Sequence, residues 1–232
     1  MKDTTIHATA SSFLFSKNIL AIDPKATYRV SGKFKLAPGS KPAVLYFGLL
    51  PHDEKGKQIN SIEVQACGGT ETVLAAPVKS SDRTIKVKNA SKWKAVDFRR
   101  AAFDIDTTGA FKDLPNRNLS AGGIISIRKK GAIYEVTFNA PVGLNRPAGT
   151  AVRQHENAPP YIYLAAAGAQ IQNDWKEFSG TIGRELKYGI NPINRWWRGT
   201  RSVKLVLLVN YAGDKSQKSL MKDVKIEKIV RN

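Results

Sequence analysis

Cysteine, histidine and acidic residues are scarce in this chain of 232 residues, which contains 1 Cys, 3 His and 19 Asp+Glu. The single cysteine, Cys67, excludes an internal disulfide and offers no metal-binding motif, so we expect a small buried side chain there. No run approaches the roughly 20 apolar residues that cross a bilayer. Phe13-Leu14-Phe15 is too short for the core of a signal peptide, and Lys17 interrupts it.

Basic residues, by contrast, are in large excess, with 37 Lys+Arg and a formal net charge of +18. The excess is +4 over residues 1–70, +8 over 71–155 and +6 over 156–232, so no single basic tail accounts for it. A small domain usually needs a net charge of only about 2–8 to stay in solution. A folded surface with this field attracts polyanions such as acidic or sulfated glycans, nucleic acid or anionic lipid.

Helical periodicity is almost absent, and short apolar or alternating runs recur between turn residues. This pattern predicts an all-β sandwich or barrel. We expect one large domain from residues 1–70 and 156–232, with residues 71–155 inserted as a small β-barrel-like subdomain. Strands of the large domain are predicted at residues 28–36, 43–50, 59–64, 203–209 and 224–230. Strands of the insertion are predicted at residues 84–88, 123–128 and 132–138, with a tight turn at 129–131.

The densest chemistry lies at residues 194–201, immediately before a predicted strand. Indole faces stack on sugar rings and bases, and guanidinium groups bind carboxylate, sulfate or phosphate. Trp196 or Trp197 is therefore the first candidate for a ligand platform. Either one alone could instead belong to the core, but both together are not expected there, because adjacent strand residues point to opposite faces. The nearby candidate anion contacts are Arg195, Arg198 and Arg201.

Other candidates lie in neighbouring segments. Tyr161 and Tyr163 are two residues apart and should share a face, either towards a ligand or towards the core. Trp175 is expected to be structural, and Trp93 is expected to fill the core of the insertion. Further basic residues that would extend the anion-binding surface are Arg184, Lys187, Arg153, Arg99 and Arg100.

Several segments resemble jelly-roll carbohydrate-binding modules attached to bacterial polysaccharide-degrading enzymes. Residues 21–32 resemble the opening strand, and residues 46–57 resemble the next strand and turn. Residues 175–182 resemble a recurrent W-x-x-F-x-G-x-I strand, and residues 223–227 resemble the closing strand. The resemblance implies a jelly-roll β-sandwich, secreted or held at the cell surface or in the periplasm, within a larger polysaccharide-degrading protein. It implies no cofactor, although a structural Ca²⁺ is common in such modules; the candidate donors are Asp223 with Asp3 or Asp23.

The function expected from these features is non-catalytic binding of a sulfated or uronate-containing polysaccharide. No G-x-S-x-G, H-E-x-x-H or phosphate-loop motif is present. One alternative is a jelly-roll polysaccharide lyase, with Tyr163 or His155 abstracting a proton and Arg153 neutralising the uronate carboxylate. The strand motifs that many such lyases carry are missing, so this alternative ranks second. Nucleic-acid binding ranks third, because no recognition helix, zinc finger or RRM motif is found.

Overall fold

The structure is a computed structural model that describes residues 4–7, 13–187, 193–211, 213 and 217–230. The chain divides into two compact units. The sandwich unit comprises residues 1–58, 160–185 and 192–232, and the inserted unit comprises residues 59–159 and 186–191. The insertion predicted at 71–155 falls within the second unit, which begins 12 residues earlier and continues 4 residues further. No helix in the described part of the chain is long and apolar enough to cross a membrane.

Almost all regular structure is strand, and the prediction of an all-β fold is confirmed. In chain order the elements are β1 Thr4–His7, β2 Phe13–Phe15, β3 Leu20–Ala21, β4 Thr27–Leu36, β5 Ala43–His52, α1 Ser61–Val64, β6 Thr72–Val73, β7 Thr84–Val87, β8 Arg99–Phe103, β9 Ile124–Lys130, β10 Ile133–Phe138, β11 Ala151–Glu156, β12 Ile162–Ile171, β13 Lys176–Gly183, β14 Ser202–Leu208 and β15 Lys218–Ile229.

The sandwich unit consists of two antiparallel sheets. One has the order β1-β15-β4-β13, and the other has the order β12-β5-β14-β2, with β3 also pairing with β14. Strand β4 shows why they pack: Val30 and Phe34 are fully buried, whereas Arg29 on the opposite face is exposed. The Phe34 ring lies 5.6 Å from that of Phe47 in the other sheet, so the inward faces share one core.

The inserted unit contains two three-stranded antiparallel sheets, β7-β10-β9 and β6-β11-β8. Of the turn predicted at 129–131, only Gly131 (φ 60°) lies in the turn, because Lys129 and Lys130 belong to β9 and pair with Tyr134 and Ile133 of β10. Trp93 is buried in the core of this unit, as expected, and its indole N–H donates to the Thr70 carbonyl oxygen at 2.7 Å. Cys67 is also buried, and burial raises the pKa of its thiol.

One predicted strand is wrong. Within residues 59–64 there is no strand; Ser61–Val64 form the short helix α1, whose N-terminus is closed by a capping box with Asn60. The Asn60 backbone N–H donates to Glu63 Oε2 at 3.0 Å, and the Asn60 side chain caps the N–H of Glu63. This reciprocal capping satisfies backbone N–H groups at the start of the helix, which a strand would have to pair with another strand. The helix therefore forms despite the alternating apolar pattern.

Candidate functional site

The two tryptophans expected to form a platform are both in the core, so this prediction is wrong. Trp196 and Trp197 each have 0% exposure. Trp196 is the only one of the two in a β-bridge, opposite Glu185, and its ring packs edge-on against Tyr28 at 5.6 Å. Trp197 ends the extended segment, because a turn at Gly199 (φ 82°) brings the Thr200 N–H to the Trp197 carbonyl. The alternation argument fails because the extended segment stops at Trp197, where the turn of residues 197–200 begins.

The surrounding arginines differ in exposure and in their partners. Arg201 is exposed, and its guanidinium contacts Glu185 at 3.3 Å. Arg184 is exposed, and Arg195 and Arg198 are partly buried. None of these last three pairs with a carboxylate among the described residues. Arg184 and Arg195 line the same surface cleft, so the structure brings together two of the predicted anion contacts.

The remaining predicted basic contacts lie in the inserted unit, and most of them are already engaged. Arg153 has 0% exposure, so it cannot contact a ligand, and this prediction is wrong. Arg99 forms an ion pair with Glu156, and Arg100 donates to the Asp97 carbonyl oxygen at 2.6 Å. Lys187 is exposed.

A different surface of the sandwich unit gathers aromatic side chains. Along β14, Lys204, Val206 and Leu208 share one face of the five-stranded sheet, because alternate residues of a strand point the same way. Their partners on β5 are Leu50, Gly48 and Tyr46, and those on β2 are Phe15 and Phe13. Tyr161 and Tyr163 share this face, since Ile162 between them pairs with the inward-facing Leu49. We call this surface the ring face; its members are Phe13, Phe15, Tyr46, Tyr161, Tyr163 and Tyr211.

The rings form one continuous chain of contacts. Tyr161 lies 5.2 Å from Phe13 and 6.0 Å from Phe15, measured between ring centroids. It also lies 5.7 Å from Tyr163, which contacts Tyr46 at 5.0 Å. Tyr46 in turn contacts Tyr211 at 5.4 Å. These spacings fall within the range of about 4.5–7 Å at which aromatic pairs attract one another, so the rings support each other's orientation.

This layer covers the sheet and yet remains accessible from outside. Val206 faces outward but has 0% exposure, so its side chain is covered on this face. Phe13, Phe15 and Tyr211 are nevertheless 41%, 43% and 51% exposed. Contiguous exposed apolar surface of this kind marks binding sites more often than it marks ordinary surface.

The ring face also has polar groups free to bind. The hydroxyls of its four tyrosines have no hydrogen-bond partner among the described residues. Burial raises the pKa of Tyr161, and burial together with the neighbouring Tyr161 and Tyr46 raises the pKa of Tyr163. Both hydroxyls therefore stay protonated at neutral pH and can donate to a ligand as well as accept. Lys204 places an ammonium group on the same face.

Two residues assigned to the alternative lyase mechanism lie in a buried network instead. His155 has 0% exposure, and its Nδ1–H donates to the Ile62 carbonyl oxygen at 2.7 Å. Its Nε2 accepts from Arg153 Nε at 2.8 Å, and Arg153 Nη2 donates to Asp113 at 2.6 Å. A substrate in solvent cannot reach either side chain. Tyr163, the third residue of that mechanism, belongs to the sandwich unit.

The buried imidazole predicts an acid sensitivity of the inserted unit. Burial, with the Arg153 charge adding to it, lowers the pKa of His155 to about 3 from the usual 6.5. The unfolded chain therefore binds a proton below pH 6.5 that the folded chain excludes, so stability decreases as pH falls from 6.5 towards 3. The loss should approach about 1.4 kcal/mol per pH unit from this group. Melting curves of the wild type and His155→Gln between pH 7 and 5 test this; equal slopes would contradict it.

The candidate calcium donors have other partners. Asp223 lies 3.6 Å from Lys33 Nζ, and Asp23 accepts from the Lys25 backbone N–H at 2.9 Å. Asp3 lies outside the described residues. Within the described ranges, no group of three or more His, Cys, Asp or Glu side chains is placed to hold a metal ion. Trp175, expected to be structural, is partly exposed, with Lys222 Nζ 4.2 Å from its ring centroid.

Sequence reasoning missed most of the ring face. Phe13 and Phe15 were considered only as part of a short apolar segment, and Tyr46 only as part of a strand. The available signal was the spacing: Phe13 and Phe15 are two residues apart, as are Tyr161 and Tyr163, so each pair must share a strand face. What the sequence could not show is that β2 and β12 belong to one sheet and present both pairs on the same side.

Comparison with known proteins adds no relative: no protein-family model matches the chain, and no curated protein or solved structure is significantly similar to it. The resemblance to carbohydrate-binding modules therefore has no support from homology. The function therefore has to be inferred from the sandwich and from the side chains on its surface.

Proposed function

We propose that the sandwich unit is a non-catalytic carbohydrate-binding module whose ring face holds an anionic polysaccharide. The observation that carries this proposal is the continuous row of rings on one sheet face, three of them more than a third exposed. Sugar rings have apolar C–H faces and hydroxyl rims. A surface of aromatic faces and free tyrosine hydroxyls matches both, whereas a purely apolar partner would leave the hydroxyls unpaired.

The size of the ring face suits an extended ligand. Its strands run across the sheet from β2 through β14 and β5 to β12, or roughly 14 Å at the usual spacing between neighbouring strands. Lys204 lies on this strip, and the chain as a whole has a net charge of +18. Such a field favours a polymer with carboxylate or sulfate groups over a neutral one. By the same proposal, the unit would serve outside the cytoplasm, holding a larger polysaccharide-degrading protein on its substrate.

Removing exposed rings tests the proposal. Tyr211→Ala and Phe13→Ala should each weaken binding of carrageenan, heparin or alginate oligosaccharides about tenfold, because each loses roughly 1–2 kcal/mol of apolar stacking. Melting temperatures should change little, since both side chains are more than 40% exposed. Titration calorimetry across this series of glycans would give the affinities and would also identify the preferred polymer.

The matched control is Phe98→Ala, which removes a ring that is 45% exposed in the inserted unit. Its affinity should equal that of the wild type. The proposal fails if Tyr211→Ala and Phe13→Ala bind every glycan as well as Phe98→Ala does. A loss confined to single-stranded DNA would instead identify the ring face as a base-stacking surface.

A further inference from the structure

The cleft lined by Arg184 and Arg195 is a second feature of the sandwich unit, and it involves none of the rings. Its other lining residues are Thr27, Thr181, Ile182, Gly183 and Asn194. No carboxylate lines it, although several other cations in the described part of the sandwich unit pair with acids. Two guanidinium groups, two hydroxyls and an amide are all capable of donating hydrogen bonds to an anion.

Backbone pairing explains why the two arginines face the same way. The Gly183 N–H donates to the Asn194 carbonyl at 3.1 Å, and the Trp196 N–H donates to the Arg184 carbonyl at 3.1 Å. Glu185 lies opposite Trp196 in a parallel bridge, so Arg184 lies opposite Arg195. Trp196 is fully buried, whereas the preceding Arg195 lines the cleft. The core indole thus anchors a surface cation.

Arg184 also has an unfavourable backbone conformation. Its φ is 57°, in the left-handed region that glycine, asparagine and aspartate tolerate far better than arginine. This conformation costs about 1 kcal/mol relative to glycine. A strained residue whose side chain is exposed and unpaired is more easily explained by what the side chain binds than by folding, since folding alone would favour glycine here.

The cleft is kept open by its neighbours. Gly183 pairs directly with Thr27, and a methyl group added at 183 would come within 2.8 Å of Thr27 Oγ1. The hydroxyl therefore lies against a bare backbone and remains close to the Arg184 segment. A tetrahedral oxyanion has three free oxygens when it is esterified to a sugar, so it can use more of these donors than the two oxygens of a carboxylate.

We infer that this cleft binds a sulfate ester of the polysaccharide, with Arg184 and Arg195 as the charged contacts. The sugar part of this inference rests on the proposed function of the ring face, whereas anion binding by the cleft does not. The ring face would hold the chain by stacking, and the cleft would select for its sulfation. A glycan with carboxylates alone should use the cleft less well.

Arg184→Gly is the decisive variant, because it removes the guanidinium and relieves the backbone at the same time. Its melting temperature should equal or exceed that of the wild type, whereas its affinity for a sulfated carrageenan oligosaccharide should fall about tenfold. Affinity for the chemically desulfated oligosaccharide should not change. The slope of log affinity against log salt should decrease by about one. Arg195→Gln should repeat the loss in affinity.

Lys129→Gln provides the control for net charge, since it removes one exposed cation from the inserted unit. The inference is overturned if Arg184→Gly and Arg195→Gln lose no more affinity for the sulfated oligosaccharide than Lys129→Gln does. Titration with inorganic sulfate, followed by NMR, separates the two proposals. Sulfate-dependent shifts at Arg184 without any glycan binding would support the cleft and refute the ring face. Glycan binding that depends on Tyr211 but not on Arg184 would do the reverse.

Discussion

Trp196→Ala should destabilise the sandwich unit by about 3–5 kcal/mol, the usual cost of deleting a large buried aromatic side chain. The indole is fully buried and packs edge-on against Tyr28, whose hydroxyl accepts from the Asp23 backbone N–H at 2.8 Å. A cavity at this position would therefore loosen both the core and the turn before β4. The melting temperature should fall by roughly 10 °C or more. Thermal unfolding followed by circular dichroism measures this directly.

This outcome is opposite to the one expected for a surface platform, whose removal would weaken glycan binding with little change in stability. Trp196→Phe is the matched control. It retains most of the ring volume and removes an indole N–H that has no acceptor among the described residues, so it should cost much less than the alanine variant. If Trp196→Ala keeps the wild-type melting temperature and loses glycan binding, Trp196 is part of a surface platform and not of the core.

Gly48→Ala should lower the free energy of unfolding by about 3 kcal/mol, which is the upper end of the usual cost of overpacking. It should also disrupt the ring face. A methyl group at this position would lie 1.9 Å from the Ile162 carbonyl oxygen and 2.8 Å from the Tyr163 Cα. Both are backbone atoms, so no side-chain rotation relieves the clash. Strand β12 shifts register against β5 between Ile162 and Ala166, and this irregular segment carries Tyr163. Melting temperature and glycan affinity should decrease together.

Gly39→Ala is the comparison for this variant. Gly39 also lies in the sandwich unit, with φ 76° and no atom within 4 Å of an added methyl group. It should cost only about 1 kcal/mol, from backbone strain alone, and leave glycan affinity unchanged. If Gly48→Ala is no worse than Gly39→Ala, then β12 does not approach β5 as closely as the structure indicates.

Local patterns predicted much of the sandwich. The alternation in residues 28–36 and the apolar run in 43–50 correspond to β4 and β5, and the closing run corresponds to β15, which is longer than expected. These strands can be predicted from the sequence because burial of one strand face gives the apolar residues a period of two. Residues 59–64 had a similar pattern but form a helix, because capping by Asn60 and Glu63 is a short-range interaction that periodicity does not detect.

The candidate site was less predictable, for two physical reasons. Whether Trp197 is buried depends on a turn at Gly199, which takes the residue out of the alternation. Whether Phe13 and Tyr161 share a surface depends on which strands form one sheet, and β2 and β12 are separated by more than a hundred residues of sequence. Of the arginines in 194–201, Arg201 is exposed and Arg195 lines a surface cleft, but the aromatic partner expected beside them lies in the core.

The most direct test of the ring face is an NMR titration of tyrosine-labelled protein with a sulfated oligosaccharide. The chain has seven tyrosines, of which four belong to the ring face and Tyr134 lies in the inserted unit. We expect the signals of Tyr46, Tyr161, Tyr163 and Tyr211 to shift in proportion to bound ligand, while the signal of Tyr134 stays fixed. Saturable glycan binding that leaves all four ring-face signals unmoved would contradict the account.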